Sequence, residues 1–138
     1  MAFKLHEGKV KTIWMPVTAS TAIAKGTIVT KSSGLLIAAT SSTAAADFCG
    51  VLDKTIAATD ADYAVSARLV PVLVPIEKNT LWEADVTSGL VIGDCDGEVD
   101  LTDGATVNRA ASTIDAVRPM SVISTTKGIF LVKFFGSY

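Results

Sequence analysis

Apolar and polar residues alternate with period two along most of this chain, and helical spacing is rare. From Lys9 to Val17, Val10, Thr12, Trp14 and Pro16 fall on one side, and Lys11, Ile13, Met15 and Val17 on the other. That is the pattern of a strand. Ala24-Lys25-Gly26 turns into a second strand, Thr27 to Lys31, and Ser32-Ser33-Gly34 forms a three-residue hairpin loop into Leu35 to Ala39. Cys49 to Leu52 is a short buried run. Val65 to Val74 alternates, and its prolines suggest an edge strand. In Leu81 to Val86, Trp82, Ala84 and Val86 oppose Leu81, Glu83 and Asp85. Further strands are expected at Leu90 to Ile92, Glu98 to Leu101, Met120 to Ile123 and Ile129 to Phe135. Phe130, Val132 and Phe134 share one parity and suit a core; Phe135 and Tyr138 point the other way. Ala38 to Ala46 is Ala-rich, but Thr40 to Thr43 make it a loop; Ala57 to Ala67 stays open between helical turn and loop. Short strands with turns roughly every ten residues predict an all-β fold, a small antiparallel β-sandwich or barrel-like domain.

Composition narrows the class. With 138 residues, one domain with a real core is expected. An extended N-terminal arm over residues 1–11 would precede a β-rich domain over 12–138. Hydrophobic residues make up 49% of the chain but aromatics only 7%, so the apolar content is mostly Ala, Val, Ile and Leu, which suits thin β layers. Charged residues, at 19%, fall below the usual quarter. A surface rich in Thr, Ser and Ala fits a protein packed against other subunits. Charge is also segregated: residues 1–31 carry net +4 and residues 83–103 net −7. Such polarity steers ordered subunit contacts. The overall charge of −2 and the scattered bases argue against nucleic-acid binding. No apolar run has the length of a membrane span, and Met1 to Lys11 lacks the apolar stretch of a signal peptide, so synthesis in a cytoplasm without export is expected.

Catalytic and metal motifs are weak. Asp94-Cys95-Asp96-Gly97-Glu98-Val99-Asp100 begins like a calcium loop, with carboxylates at alternate positions. The pattern then fails, because Val99 stands where glycine is needed and Ala105 where the closing glutamate is needed. The plainer reading is an acidic turn whose Glu98 and Asp100 form the wet face of a strand. His6, the single histidine, lies in the N-terminal arm, a poor base for a preorganised triad. Glu77, Glu83 and Asp85 offer carboxylates, as any β protein does, and no nucleotide-binding glycine motif is present. Cys49 and Cys95 lack metal spacing and read as reduced, buried thiols, although a bridge stays open. No enzyme activity, cofactor or metal is expected. Trp14 and Trp82 read as core or interface residues, with Trp14, beside Met15 and Pro16, suited to an interface.

Several stretches together resemble the small head decoration, or capsid cement, proteins of tailed bacteriophages. They are Thr21-Ala22-Ile23-Ala24-Lys25-Gly26-Thr27-Ile28-Val29, then Gly34, then Cys49-Gly50-Val51-Leu52-Asp53. Asp100 to Asn108 and Lys127 to Phe134 continue the likeness, which spans about residues 10–135 and rests on turns and strands rather than on chemistry. The resemblance implies a structural virion protein on the capsid exterior. It would bind the major capsid protein, self-associate as a homotrimer, and brace the shell. In such proteins an extended N-terminal arm lies across the capsid protein. Met1 to Lys11 fits that role physically, with Phe3 and Leu5 as anchors and Lys4, Lys9 and Lys11 as its charge; Trp14 joins them as an interface candidate. The runner-up is a β-sandwich adhesion or fibre module binding a host receptor or glycan. A small hydrolase, which would need a convergent polar pocket, comes third.

Overall fold

The computed structural model describes residues 3–87 and 89–136. It is all-β, with eleven strands among the described residues. Five of them close a barrel in the order β2-β4-β3-β5-β6: β2 (Val10–Val17), β4 (Leu35–Ala38), β3 (Ile28–Ser32), β5 (Gly50–Leu52) and β6 (Arg68–Pro75). The other six form an open sheet. Its order is β10-β11-β7-β9-β8, with β1 (Lys4–Glu7) added beside β7 (Leu81–Val86). Here β8 is Asp100–Asp103, β9 Thr106–Asn108, β10 Val117–Ser124 and β11 Lys127–Val132. Pairing is antiparallel except between β2 and β4, at Val17 and Leu36, and between β7 and β9.

Alternation decides where each side chain goes. Met15, Val17, Val29, Leu36, Leu52, Val70, Val72 and Val74 fill the barrel. Their neighbours Ile28, Val51 and Leu73 project from the outside of the same wall into a second core. There they meet Trp82, Ala84, Val86, Phe130 and Val132 from the open sheet. The β3–β5–β6 wall is therefore apolar on both faces, which is why its strands read as nearly continuous hydrophobic runs. Trp82 and Phe130 are fully buried, and Trp82 meets Phe134 edge-on at 5.6 Å between ring centroids. Such an aromatic pair adds about 0.5–1.5 kcal/mol beyond its buried area.

A tight turn and a close approach fix this geometry. Ser33 (φ 52°) and Gly34 (φ 81°) form a two-residue hairpin loop with both residues left-handed, the combination that matches strand twist. It is one residue shorter than the sequence suggests, because Ser32 stays in register opposite Leu35. At Gly50 a Cβ would stand 2.5 Å from the Leu73 carbonyl oxygen, so glycine lets β5 approach β6.

Three expectations are corrected. Residues 4–7 of the N-terminal segment are not a free arm: Lys4 and Leu5 pair with Glu83 and Trp82 of β7, and Phe3 is buried in the second core. Its two apolar residues found a core, and its backbone found a sheet edge. Next, β6 is not an edge strand, since it pairs with β2 along its whole length and with β5 at Leu73 and Val72. The β5 ladder ends where Pro71 accepts from the Asp53 N–H but has no N–H to return. Finally, the stretch around Leu90 to Ile92 is no strand. Leu90 is buried, and Ile92–Asp96 forms a 3-10 turn.

Candidate interaction surface

Strands β2 and β6 run side by side over eight cross-strand pairs, and their outward residues are almost all apolar. The outer pairs are Val10 with Pro75, Thr12 with Leu73, Trp14 with Pro71, and Pro16 with Leu69. At one end the open sheet covers this wall, since Val10 and Leu73 pack against the second core. At the other end it faces solvent, with Trp14 60% and Leu69 61% exposed. A tryptophan exposed to that degree presents on the order of 150 Å² of largely apolar surface. Proline at Pro16 and Pro71 stiffens both strands beneath it.

The six residues expected to bind a partner are not brought together. Trp14 lies on the outer barrel wall. Lys11 is exposed on β2 with the opposite parity, and Lys9 precedes β2 and pairs with Glu77 at 3.9 Å, both partners exposed. Lys4 is exposed on β1 opposite Glu83. Leu5 packs against the second core, and Phe3 lies within it, so neither is an anchor on a mobile arm. Phe3, Lys4 and Leu5 do share one feature: they line a groove of about 390 Å³ between β1 and the barrel, opposite Lys25, Gly26, Val51, Leu52, Asp53 and Leu73. Lys25 and Asp53 form an ion pair there at 3.7 Å.

The acidic turn is committed to the protein itself. Asp94 accepts from Arg109 Nε and Nη2 at 3.1 and 3.0 Å, and from the Val91 N–H at 2.9 Å. The Arg109 hydrogen bonds hold the Asp94 carboxyl below its ordinary range, and Asp94 in turn raises the Arg109 guanidinium. Asp100, expected on a wet face, is buried; its two oxygens accept the N–H groups of Thr113, Ile114 and Asp115 at 2.7–2.9 Å. Glu98 pairs with Lys133. Among the described residues no group of three or more His, Cys, Asp or Glu side chains could hold a metal ion. Cys49 is buried, Cys95 half-buried, and both are free thiols; burial pushes the Cys49 thiol up.

Sequence reasoning misses Leu69 and Ile92 as surface residues. Leu69 shares parity with Pro71 and Leu73, so its side was legible, but its register beside Trp14 was not. Ile92 is 82% exposed on the 3-10 turn. Phe135 is exposed, but not through strand parity: β11 ends at Val132, short of the expected Phe135, and Phe134–Gly136 forms a 3-10 turn with Phe135 left-handed (φ 55°); Tyr138 lies outside the described residues. Comparison with models of protein families, with curated proteins and with solved structures finds no match to this chain.

Proposed function

We propose that this chain is a structural subunit that binds the outer surface of an assembled tailed-phage capsid and stabilises it. In that reading it is made in the host cytoplasm, self-associates as a homotrimer, and contacts the major capsid protein. The observation that supports it is the Trp14–Leu69 end of the barrel wall, an apolar face held toward solvent on a stiff scaffold. A rigid aromatic flanked by aliphatic residues is the usual anchor of a protein interface.

The size of the patch suits such a role. Burying about 150 Å² of Trp14 is worth about 3–4 kcal/mol at roughly 25 cal/mol per Å². A stable one-to-one complex buries about 800 Å² per partner, so this face alone makes a modest contact. Several modest contacts made at once by an oligomer on a repeating shell become tight through effective concentration.

The test is sedimentation with expanded, undecorated heads of the parent phage. The wild-type chain should pellet to a fixed copy number per capsid protein. Trp14→Ala and Leu69→Ser should each weaken binding at least about tenfold, because multivalency multiplies the loss at each contact. Point substitutions are the right variants, since deleting residues 1–11 would remove a sheet strand and Phe3 from the core. Failure of the wild-type chain to bind those heads overturns the reading.

A further inference from the structure

Among the described residues, strand β1 pairs with β7 on one side only. On the other side the Phe3 N–H reaches the Gly26 carbonyl at 2.8 Å, toward the barrel. Backbone groups alternate along a strand, so the Leu5 N–H and C=O point the same way, into the groove beside β1. The far wall of that groove supplies Val51 and Leu73, and its rim carries the ammonium groups of Lys4 and Lys25 against the single carboxylate of Asp53, which pairs with Lys25 and leaves Lys4 as the excess charge. Glu83, across the ladder from Lys4, is already engaged by Lys127 at 3.7 Å. A strand edge, an apolar wall and an excess of positive charge thus meet along one groove.

We propose that this groove receives an extended, acidic segment of a partner protein, which adds to β1 as a further strand. Main-chain bonds to Leu5 would hold the segment. An apolar side chain would rest on Leu5 and Leu73, and a carboxylate would meet Lys4. Exposed edges without a covering element are templates for this kind of pairing. The proposal deepens the reading above by naming how a partner is gripped. It rests on that reading for the statement that the partner is a protein, and it gives residues 4–7 the role of receiving a strand.

The test titrates the full ¹⁵N-labelled chain with an acetylated, amidated hexapeptide of alternating Val and Asp, at millimolar concentration and low salt. The amide signals of Lys4, Leu5, Gly26 and Asp53 should shift together, and exchange of the Leu5 N–H should slow about tenfold at saturation. Lys4→Glu, at an exposed site, should keep the native spectrum and weaken binding about tenfold. The proposal is overturned if those four amides do not move, or if a Val–Lys hexapeptide moves them equally. No heads are present in this titration. Peptide binding without head binding therefore overturns the capsid reading alone, and head binding without peptide binding overturns the groove alone.

Discussion

Asp100→Ala removes one carboxylate and leaves three backbone donors without their acceptor. Asp100 is 5% exposed and sits on β8, yet it organises a loop that begins thirteen residues later in the chain. A hydrogen bond to a charged group contributes about 1.5–3 kcal/mol, so three would sum to roughly 4.5–9 kcal/mol if all the donors were sealed. They are not: Thr113 is exposed and regains water, whereas Ile114 and Asp115 are half-buried. The expected loss is then about 3–5 kcal/mol, a large fraction of the stability of a domain this size. Asp115 also holds a left-handed backbone (φ 55°) beside its bond to Asp100, and it relaxes once that bond is gone. Asp100→Asn grades the effect. Its oxygen still serves Ile114 and Asp115, but its NH₂ faces the Thr113 N–H and the charge is lost, for about 1.5–3 kcal/mol. Urea unfolding followed by tryptophan fluorescence reads both losses, and melting points should fall by about 4 °C per kcal/mol. Amide exchange should lose protection at Ile114 and Asp115 first. A loss under about 1 kcal/mol for the alanine variant would refute the reasoning, because the three donors would then be satisfied without the carboxylate.

Other perturbations test separate parts of the structure. The Arg109 hydrogen bonds lower the Asp94 carboxyl from its ordinary 3.8, so the contribution of that pair is complete above this pH and is lost as pH falls through the lower folded value. Asp94→Asn should therefore flatten the acid limb of the stability curve below pH 3.8 and leave its neutral-to-basic shape unchanged. Gly50→Ala should destabilise by on the order of 3 kcal/mol, because its Cβ meets Leu73 O at 2.5 Å and Val72 Cγ1 at 2.7 Å; chemical denaturation with an undiminished midpoint would contradict this. Cys95 should react with an aromatic disulfide reagent well before Cys49, whose burial keeps its thiol protonated and covered, and equal rates in the native protein would count against the buried placement. Trp14→Ala should change folding stability by no more than about 0.5 kcal/mol while weakening head binding, a separation that a core tryptophan could not produce.

Strands whose two faces meet different environments were legible. The pattern of β7 puts Trp82, Ala84 and Val86 inside with Leu81, Glu83 and Asp85 outside, and the pattern of β2 turns Met15 and Val17 inward and Trp14 outward. The all-β class follows from such segments. Strand β1 was not legible, because Lys4–Glu7 is short and polar and becomes a strand through its distant partner β7. The edge reading of β6 failed for a related reason: its prolines bar a full second ladder, but β5 needs only two residue pairs, Val51 with Leu73 and Leu52 with Val72, to close the barrel. The burial of Asp100 was hidden because its donors come from Thr113 to Asp115, a loop with no periodic signal. On the surface, parity marks Trp14 as outward. Its apolar company, Leu69 and Pro71, depends on a register that one sequence does not carry.

The pairing of β1 with β7 also sets an order of events during synthesis. β1 is made before β2 and before the whole barrel, but its sheet partner exists only after Glu83 has left the ribosome. At about 5–20 residues per second that interval lasts on the order of 4–15 seconds. Every barrel strand is translated within it, so the barrel can close while β1 still lacks its sheet partner and Phe3 and Leu5 lack the Trp82 surface they will share. For those seconds the segment is an unpaired strand with two apolar side chains, open to capture by another nascent chain on the same message. Swapped pairing of β1 between neighbouring copies is therefore the misassembly to look for when this protein is made quickly and at high concentration.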